Sequence, residues 1–305
     1  MRQRAFMFVA WMRTLFSVRA ATAVLSSFGA LWLIVEIAAF FFQSTAIPQW
    51  LRDHWWLFAI IGAATAVIRC RPKMAVAQKL NGRDVTVEIA IGDVFSFDGA
   101  LIVGSNTTFD TKISATLIAE NSVQGTFTRR YFADEAKLDI EIAAGLDAGQ
   151  AQQLSGKRQG KSYRYPIGTV VRLNPKGRTA YFVAIADINE HGVAEGSFER
   201  LQASLAELWV YVGSRGLKER LVMPVLGTGF SRLPQTREQV VREIVKSFVA
   251  ACSERVFADR LTIVLSPKDV AEHKISLDEL SAFLGHVCLY TEFSAGTRGA
   301  LGAPV

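Results

Sequence analysis

The sequence predicts an α/β domain that is preceded by a two-helix transmembrane hairpin. Two long apolar runs lie within the first 79 of the 305 residues. From residue 84 onward, short β-branched runs alternate with amphipathic helical stretches, a pattern typical of a sheet that helices cover on both faces. The charge is uneven as well, because residues 1–79 hold nine basic and two acidic side chains and leave 25 basic and 26 acidic ones for the rest. The net charge of +6 therefore belongs to the N-terminal part and gives no support for nucleic-acid binding.

Composition excludes several classes of protein. Half of the residues are hydrophobic and 20% are charged, which rules out a chain that is disordered throughout. The cysteines, Cys70, Cys252 and Cys288, are far apart, and the histidines form no HExxH motif. Neither a disulfide scaffold nor a metal site is expected, and unpaired cysteines agree with a cytosolic domain.

The first apolar run covers residues 20–42 and contains one ionisable side chain, Glu36. About 20 apolar residues in a helix cross a hydrocarbon core of roughly 30 Å. We therefore expect one transmembrane helix at residues 20–42 and a second at about residues 53–69, with Trp50, Trp55 and Trp56 at the membrane interface. The alternative is a buried helical hairpin in a soluble core.

Basic residues flank the predicted hairpin on both sides. Four arginines precede the first apolar run and four basic residues follow the second, so the positive-inside rule places both termini and the α/β domain in the cytoplasm. The protein is then a multi-pass protein of the inner membrane. Glu36 is expected to contact another helix or to line a pore, or else to be a lone protonated side chain. Gly62 and Ala66, like Ala59 and Ala63, have the spacing that permits close helix packing.

The cytosolic domain is predicted over residues 84–290. Alternating or continuous apolar runs predict six strands, within residues 84–95, 100–106, 165–173, 179–187, 220–230 and 260–267. Helical spacing predicts helices over residues 133–144, 197–214 and 236–252, the second with Ser197 as its N-cap. Residues 291–305, rich in glycine, alanine and threonine, are predicted to be a disordered tail.

Three glycine-containing loops follow predicted strands. They are Gly92-Asp93-Val94, Gly104-Ser105-Asn106 with Thr107 behind it, and Gly227-Thr228-Gly229-Phe230-Ser231. Ligands of α/β sheets bind beyond the carboxyl ends of strands, and successive backbone N–H groups in such loops point at phosphate oxygens. The chain has no GxGxxG and no Walker motif. Each loop taken alone is also compatible with a simple tight turn.

In their order and spacing, the three loops resemble those of the macro domain, a three-layer α/β/α fold that binds ADP-ribose. The resemblance covers roughly residues 84–270. It implies that Asp93 accepts a hydrogen bond from the adenine amino group and that Asn106 approaches the distal ribose. It also implies that the backbone of residues 227–231 holds the diphosphate, with Phe230 against the ligand. The second motif reads Val-Gly-Ser-Asn where the family has Asn-Ala-Ala-Asn, which favours a binder over a hydrolase.

Two membrane helices followed by such a domain resemble the membrane effectors of type II Thoeris antiphage systems. This resemblance implies a signal, histidine joined to ADP-ribose, that a TIR-domain enzyme makes after phage infection. The effector would bind the signal, assemble as a homo-oligomer and disrupt the bilayer, in an abortive infection. No cofactor, metal or catalytic residue is expected.

Two other functions remain open from the residues alone. A membrane-tethered ADP-ribosyl hydrolase would draw its acid and base from Asp93, Asp110, Asp187 and His191. A structural membrane protein would use the domain to bind a protein partner or ADP-ribosylated partners. Several basic side chains could contact phosphates or lipid headgroups, or simply be solvated: Arg129, Arg130, Lys157, Arg158, Lys161 and Arg164.

Overall fold

In a computed structural model, the chain is described at residues 12, 16–41, 49–50, 53–69, 71, 73–114, 117–132, 134–155, 159–188, 194–227 and 234–290. It divides into two compact units, Met1–Met74 and Ala75–Val305. Several predictions fall outside the described residues, namely those on Thr228, Gly229, Phe230, Ser231, His191, Lys157, Arg158, Cys70 and the tail 291–305.

The first unit contains two apolar helices, α1 (Val18–Phe41) and α2 (Trp56–Arg69). The helices contact each other, and the ring of Phe58 packs edge-on against that of Phe28 with 6.4 Å between centroids. Within the described residues, α1 alone is long and apolar enough to cross a membrane, whereas α2 has only 14 residues. The predicted pair of helices is confirmed, and one of them has membrane-spanning length.

One of the two predicted small-residue stripes lies between these helices. Gly62 and Ala66 are buried, whereas Ala59 and Ala63 are exposed. A Cβ atom added to Gly62 would lie 3.3 Å from the carbonyl oxygen of Val24 on α1. The absence of a side chain at Gly62 therefore permits the close approach of the two backbones.

The second unit is built on β-strands that form a mixed sheet. In chain order the strands are β1 (Ala75–Lys79), β2 (Thr86–Ile91), β3 (Ala100–Asn106), β4 (Gln152–Gln153), β5 (Tyr163–Arg164), β6 (Val170–Leu173), β7 (Ala180–Ile188), β8 (Ala194–Glu195), β9 (Glu219–Pro224) and β10 (Ala258–Leu265). Eight of them form one sheet with strand order β1-β2-β10-β9-β3-β7-β6, in which β8 pairs with β7. The central strands β2, β10, β9, β3 and β7 are parallel, and β1 and β6 are antiparallel edges. Strands β4 and β5 form a separate hairpin.

Helices cover both faces of the sheet, as two neighbouring residues of β7 show. The ring of Phe182 packs against Phe127 at 5.1 Å, and the ring of Tyr181 packs against Tyr211 at 6.2 Å. Because successive side chains of a strand point to opposite faces, Phe127 and Tyr211 mark helices on opposite sides. The predicted macro-domain-like three-layer α/β/α fold is confirmed. Its helices are α3 (Val123–Tyr131), α4 (Glu135–Gly145), α5 (Phe198–Arg215), α6 (Arg237–Glu254), α7 (Pro267–His273) and α8 (Leu277–Tyr290).

Some boundaries differ from the sequence pattern. The sheet begins at Ala75, inside the segment that the sequence pattern assigned to the membrane region. The pattern missed β1 because this edge strand has only five residues, too few to show a clear period. Helices α3, α7 and α8 were not predicted, and α3 is largely polar. The predicted N-cap of α5 is correct, since the Ser197 side chain accepts a hydrogen bond from the Arg200 backbone N–H at 3.2 Å.

Candidate functional site

The three predicted loops follow strands that end at one edge of the sheet. Strands β3 and β9 are direct neighbours, and β10 separates β9 from β2. Because all four strands are parallel, their carboxyl ends meet at the same edge, which is where open α/β sheets bind ligands. The fold therefore brings Asn106, Gly227 and Asp93 to a common edge.

Gly104 lies where the edge of the sheet is closely packed. A Cβ atom at Gly104 would lie 2.6 Å from Cδ1 of Ile185 on β7 and 3.3 Å from Cδ2 of Leu226, which follows β9. A side chain at this position would therefore require the Ile185 side chain to move. Gly227, which follows Leu226 in the chain, has a φ of +71°, a conformation that favours glycine.

Ser105 carries an unsatisfied hydroxyl at the end of β3. The residue is 5% exposed, and its Oγ has no hydrogen-bond partner among the described residues. Buried polar groups are nearly always paired, and an orphaned one costs about 1–3 kcal/mol. A ligand atom at the sheet edge would satisfy this hydroxyl.

Asn106, the last residue of β3, belongs to a buried polar network. Its Nδ2 donates to Oδ2 of Asp110 at 3.2 Å, and its Oδ1 accepts from the Asp110 backbone N–H at 3.1 Å. The hydroxyl of Thr108 lies 2.5 Å from the same Oδ2. The other Asp110 oxygen accepts from the backbone N–H of Lys161 at 2.7 Å. The network fixes the Asn106 carboxamide relative to β3.

Thr107 and Asp187 link the ends of β3 and β7. The Thr107 hydroxyl donates to Oδ1 of Asp187 at 2.9 Å. Two guanidinium groups flank the other oxygen, with Arg164 at 3.8 Å and Arg200 at 4.0 Å. The carboxyl of Asp187 is thus already engaged as an acceptor within the fold.

Asp93 caps a short 3-10 helix, Val94–Ser96, after β2. Its Oδ1 accepts from the Phe95 backbone N–H at 3.1 Å, and its Oδ2 lies 2.9 Å from Nη2 of Arg130. The Arg130 guanidinium also stands over the Phe95 ring at 4.5 Å. Asp93 is half-exposed, so a ligand can reach it, whereas Val94 is buried in the hydrophobic core.

The family model described as the Macro domain of Thoeris protein ThsA matches residues 87–266 of this chain. The chain belongs to this Thoeris ThsA macro-domain family. The matched segment contains all three loops of the candidate site. The Thoeris protein ThsA of Bacillus amyloliquefaciens (strain Y2) is 24% identical over 162 residues, which make up 52% of this chain and 52% of that protein. The chain thus spans about half the length of this curated relative.

Solved macrodomains have similar folds at low identity. An Oceanobacillus iheyensis macrodomain with ADP is 16% identical, with a TM-score of 0.47 over 68% of this chain and 98% of that one. A Trypanosoma brucei macrodomain in complex with ADP-ribose is 13% identical, with a TM-score of 0.41 over 65% of this chain and 67% of that one.

Two kinds of reactive group, metal-binding side chains and cysteine thiols, bear on the chemistry of the described part of this ThsA-family domain. No group of three histidine, cysteine, aspartate or glutamate side chains that could hold a metal occurs within it. Burial raises the pKa of the Cys252 thiol to about 12 and that of Cys288 to about 11. Both thiols therefore stay protonated near neutral pH, a state that is not nucleophilic.

Sequence reasoning missed the link between Asp110 and Asn106. It considered Asp110 only as an acid or base, but the carboxyl is buried and bonds to Asn106. The four-residue separation from Asn106 is a signal that was present in the sequence. The contribution of Lys161, 51 residues further on, had no local signal.

Proposed function

We propose that this chain is a membrane-anchored effector of bacterial antiphage defence that senses an ADP-ribose-derived nucleotide through its macro domain. The favoured signal is histidine joined to ADP-ribose, supplied by a TIR-domain enzyme. Membership of the Thoeris ThsA macro-domain family and the resemblance to type II Thoeris effectors support this assignment. Proposed ligand contacts are Asp93, the backbone of Val94, whose side chain lies in the core, and Ser105, Asn106, Thr107, Gly227, Thr228, Gly229, Phe230 and Ser231.

The observation that carries the proposal is the orphaned hydroxyl of Ser105. It is buried beside Asn106, at the edge where Gly227 begins the third glycine loop. A ligand with hydroxyl and phosphate oxygens would satisfy this hydroxyl. The half-exposed carboxylate of Asp93 would accept from an amino group such as that of adenine.

Calorimetric titration of the full-length protein in detergent micelles with ADP-ribose tests the binding step. The variant Ser105→Ala should weaken ADP-ribose about tenfold, the loss expected for one buried hydrogen bond. The same variant should raise the melting temperature of the ligand-free protein, because it removes an unsatisfied polar group.

Ser204→Ala is the matched control for this titration. The Ser204 hydroxyl is buried but satisfied, since it donates to the carbonyl of Ala184 at 2.8 Å. Its loss should lower the melting temperature and leave ADP-ribose affinity unchanged. If Ser105→Ala behaves like Ser204→Ala, the hydroxyl of Ser105 has no role in ligand binding.

The second part of the proposal is that the hairpin disrupts the bilayer when the ligand binds. We propose that the hairpin lies in the inner membrane with both termini and the macro domain cytoplasmic. A ligand shifts an equilibrium only by its different affinity for two states, so a ligand that favours association of the domains would concentrate the hairpins in the bilayer. Glu36 lies exposed on α1 and would then line a water-filled gap between copies.

Ligand-triggered leakage of dye from vesicles that contain the full-length protein tests this step. Glu36→Gln and Glu36→Leu should both reduce the leakage rate while the affinity for ADP-ribose stays unchanged. Leakage at the wild-type rate in both variants would remove Glu36 from the mechanism.

An ADP-ribosyl hydrolase is the alternative. It has less support, because two of its acid–base candidates, Asp110 and Asp187, accept hydrogen bonds within the fold. Release of free ADP-ribose from an ADP-ribosylated protein during incubation with the full-length chain would overturn the assignment as a pure binder.

A further inference from the structure

We infer that Asp110 is a positioning residue for the ligand, which holds the side chain of Asn106 in the orientation that meets the distal ribose. This inference rests on the proposed function, since Asn106 meets a ribose only if the domain binds ADP-ribose. Asp110 lies outside all three glycine loops, and its role differs from that of an acid or base.

The first step is the burial of a charge. Asp110 is 1% exposed, and a buried carboxylate without partners costs several kcal/mol. Its donors include the Lys161 backbone N–H at 2.7 Å, the Thr108 hydroxyl at 2.5 Å and Nδ2 of Asn106 at 3.2 Å. The carboxylate is therefore held in one position by its surroundings.

The second step is the orientation of Asn106. An ionised carboxylate only accepts hydrogen bonds, so the amino end of the Asn106 carboxamide has to face Asp110. The oxygen end accepts from the Asp110 backbone N–H at 3.1 Å. One residue thus binds both ends of the carboxamide. The second hydrogen on Nδ2 therefore points in a fixed direction. A fixed donor of this kind suits a hydrogen bond to a hydroxyl oxygen of the ligand.

The third step is the connection to neighbouring elements. The carbonyl oxygen of Asp110 accepts from Nε2 of Gln124 on α3 at 2.7 Å. Together with the Lys161 N–H, this bond ties the end of β3 to α3 and to the segment before β5. Asp110 therefore prepares the distal-ribose end of the site before any ligand arrives, which lowers the ordering cost of binding.

The variant Asp110→Asn tests the inference in the full-length protein in detergent micelles. An NH2 group against Nδ2 of Asn106 repels it and removes the acceptor that orients the carboxamide, and an NH2 group against the Lys161 N–H displaces the whole side chain, so either arrangement disturbs the contacts that orient Asn106. We expect the affinity for ADP-ribose to fall about tenfold. ADP has no distal ribose, and its affinity should not change.

Asp139→Asn is the matched control. Asp139 forms an ion pair with the Lys161 ammonium and accepts from the Thr111 hydroxyl at 3.1 Å, but no contact joins it to Asn106. This variant should leave the affinities for ADP-ribose and ADP unchanged. Asn106→Ala supplies the second reference: Asp110→Asn should lower ADP-ribose affinity no further in that background.

Three results would overturn the inference: an equal loss for ADP and ADP-ribose in Asp110→Asn, no loss for either, or additive losses in the double variant. If Asp110→Asn does not fold, Thr108→Val carries the same expectation, because it keeps the charge of Asp110 and removes a hydroxyl that lies 2.5 Å from Oδ2 of Asp110 and 3.1 Å from Oδ1 of Asn106. If the wild-type protein binds neither nucleotide, the proposed function fails and this inference with it. If the wild type binds ADP-ribose but the variants give one of the three overturning results, the inference fails and the proposed function stands.

Discussion

The helical hairpin and the α/β domain place their apolar side chains in opposite directions. In the hairpin, small residues such as Gly62 and Ala66 lie between the helices, whereas large side chains are mostly exposed. These exposed side chains are Leu25, Leu33, Ile34, Phe40, Phe41, Ile60 and Ile68. In the domain, the rings of Trp209, Phe248 and Phe257 pack together inside, with centroids 5.3–6.0 Å apart.

The two arrangements are those expected of a hairpin in lipid and of a domain in water. Water drives large apolar side chains inward, because burial of apolar area stabilises the folded state. Lipid exerts no such force, since its chains are as apolar as leucine, and helices in lipid associate through small residues that allow close approach. The exposed apolar surface of the hairpin is therefore expected to face lipid.

The largest expected effect is loss of a large side chain from the interior of the domain. Phe248→Ala should lower the free energy of unfolding by about 3–5 kcal/mol, because it removes apolar contacts and leaves a cavity beside Trp209. Urea denaturation of the full-length protein in micelles, followed by circular dichroism, measures this. Val210→Ala on α5 is the control, since Val210 is 66% exposed and its truncation should have almost no effect. If the free energy of unfolding falls by less than about 1 kcal/mol in Phe248→Ala, burial of this ring does not stabilise the domain as proposed.

A charge on the outer face of the hairpin should have the next largest effect. Leu33 on α1 and Leu217 in the domain are both 61% exposed. Leu33→Arg should weaken membrane insertion by about 3 kcal/mol, the cost of a central arginine on insertion scales. Leu217→Arg should be neutral, because Leu217 is expected to face water. Carbonate extraction measures the fraction of each variant that stays in the membrane. If the two variants are retained equally, the proposal that the hairpin faces lipid and the domain faces water is contradicted.

Close helix packing in the hairpin predicts a smaller effect. Gly62→Leu should lower the stability of the hairpin by about 1–3 kcal/mol, because the added side chain meets the Val24 carbonyl. Ala63→Leu, on the exposed face one residue further, should be tolerated. Thermal unfolding of the hairpin in micelles, followed by helical circular dichroism, compares the two variants. Equal melting temperatures would show that Gly62 is not at a close contact.

The smallest effect concerns pH. Burial raises the pKa of the Glu219 carboxyl, although the hydrogen bond from the Tyr181 hydroxyl at 3.2 Å opposes this. The folded state then binds the proton more tightly than the unfolded state, so this stabilisation is full below the ordinary glutamate pKa. It is lost as the pH rises through the raised value. Glu219→Gln should flatten this decline in the melting temperature, because an amide does not titrate. An unchanged pH profile in Glu219→Gln would contradict the assignment.

Much of the architecture could be predicted because its signals are local. Apolar length identified the helix at α1, and the helical period with the Ser197 cap identified α5. Glycines after apolar strands marked the loops at Asp93, Asn106 and Gly227. Regions with weak local signals, such as the edge strand β1 and the polar helix α3, could not be predicted in this way.

Composition and periodicity were enough to divide the chain into an apolar, basic hairpin and a nearly neutral α/β domain, because both are properties of short segments. The folded structure was needed to show that β3 lies between β9 and β7 and that Gly62, not Ala63, faces the neighbouring helix. It was also needed to show that Asp110 accepts from the backbone N–H of Lys161 and that the Ser105 hydroxyl is buried without a described partner. Each of these depends on strand order, helix rotation or burial, which arise when segments distant in the chain pack against each other.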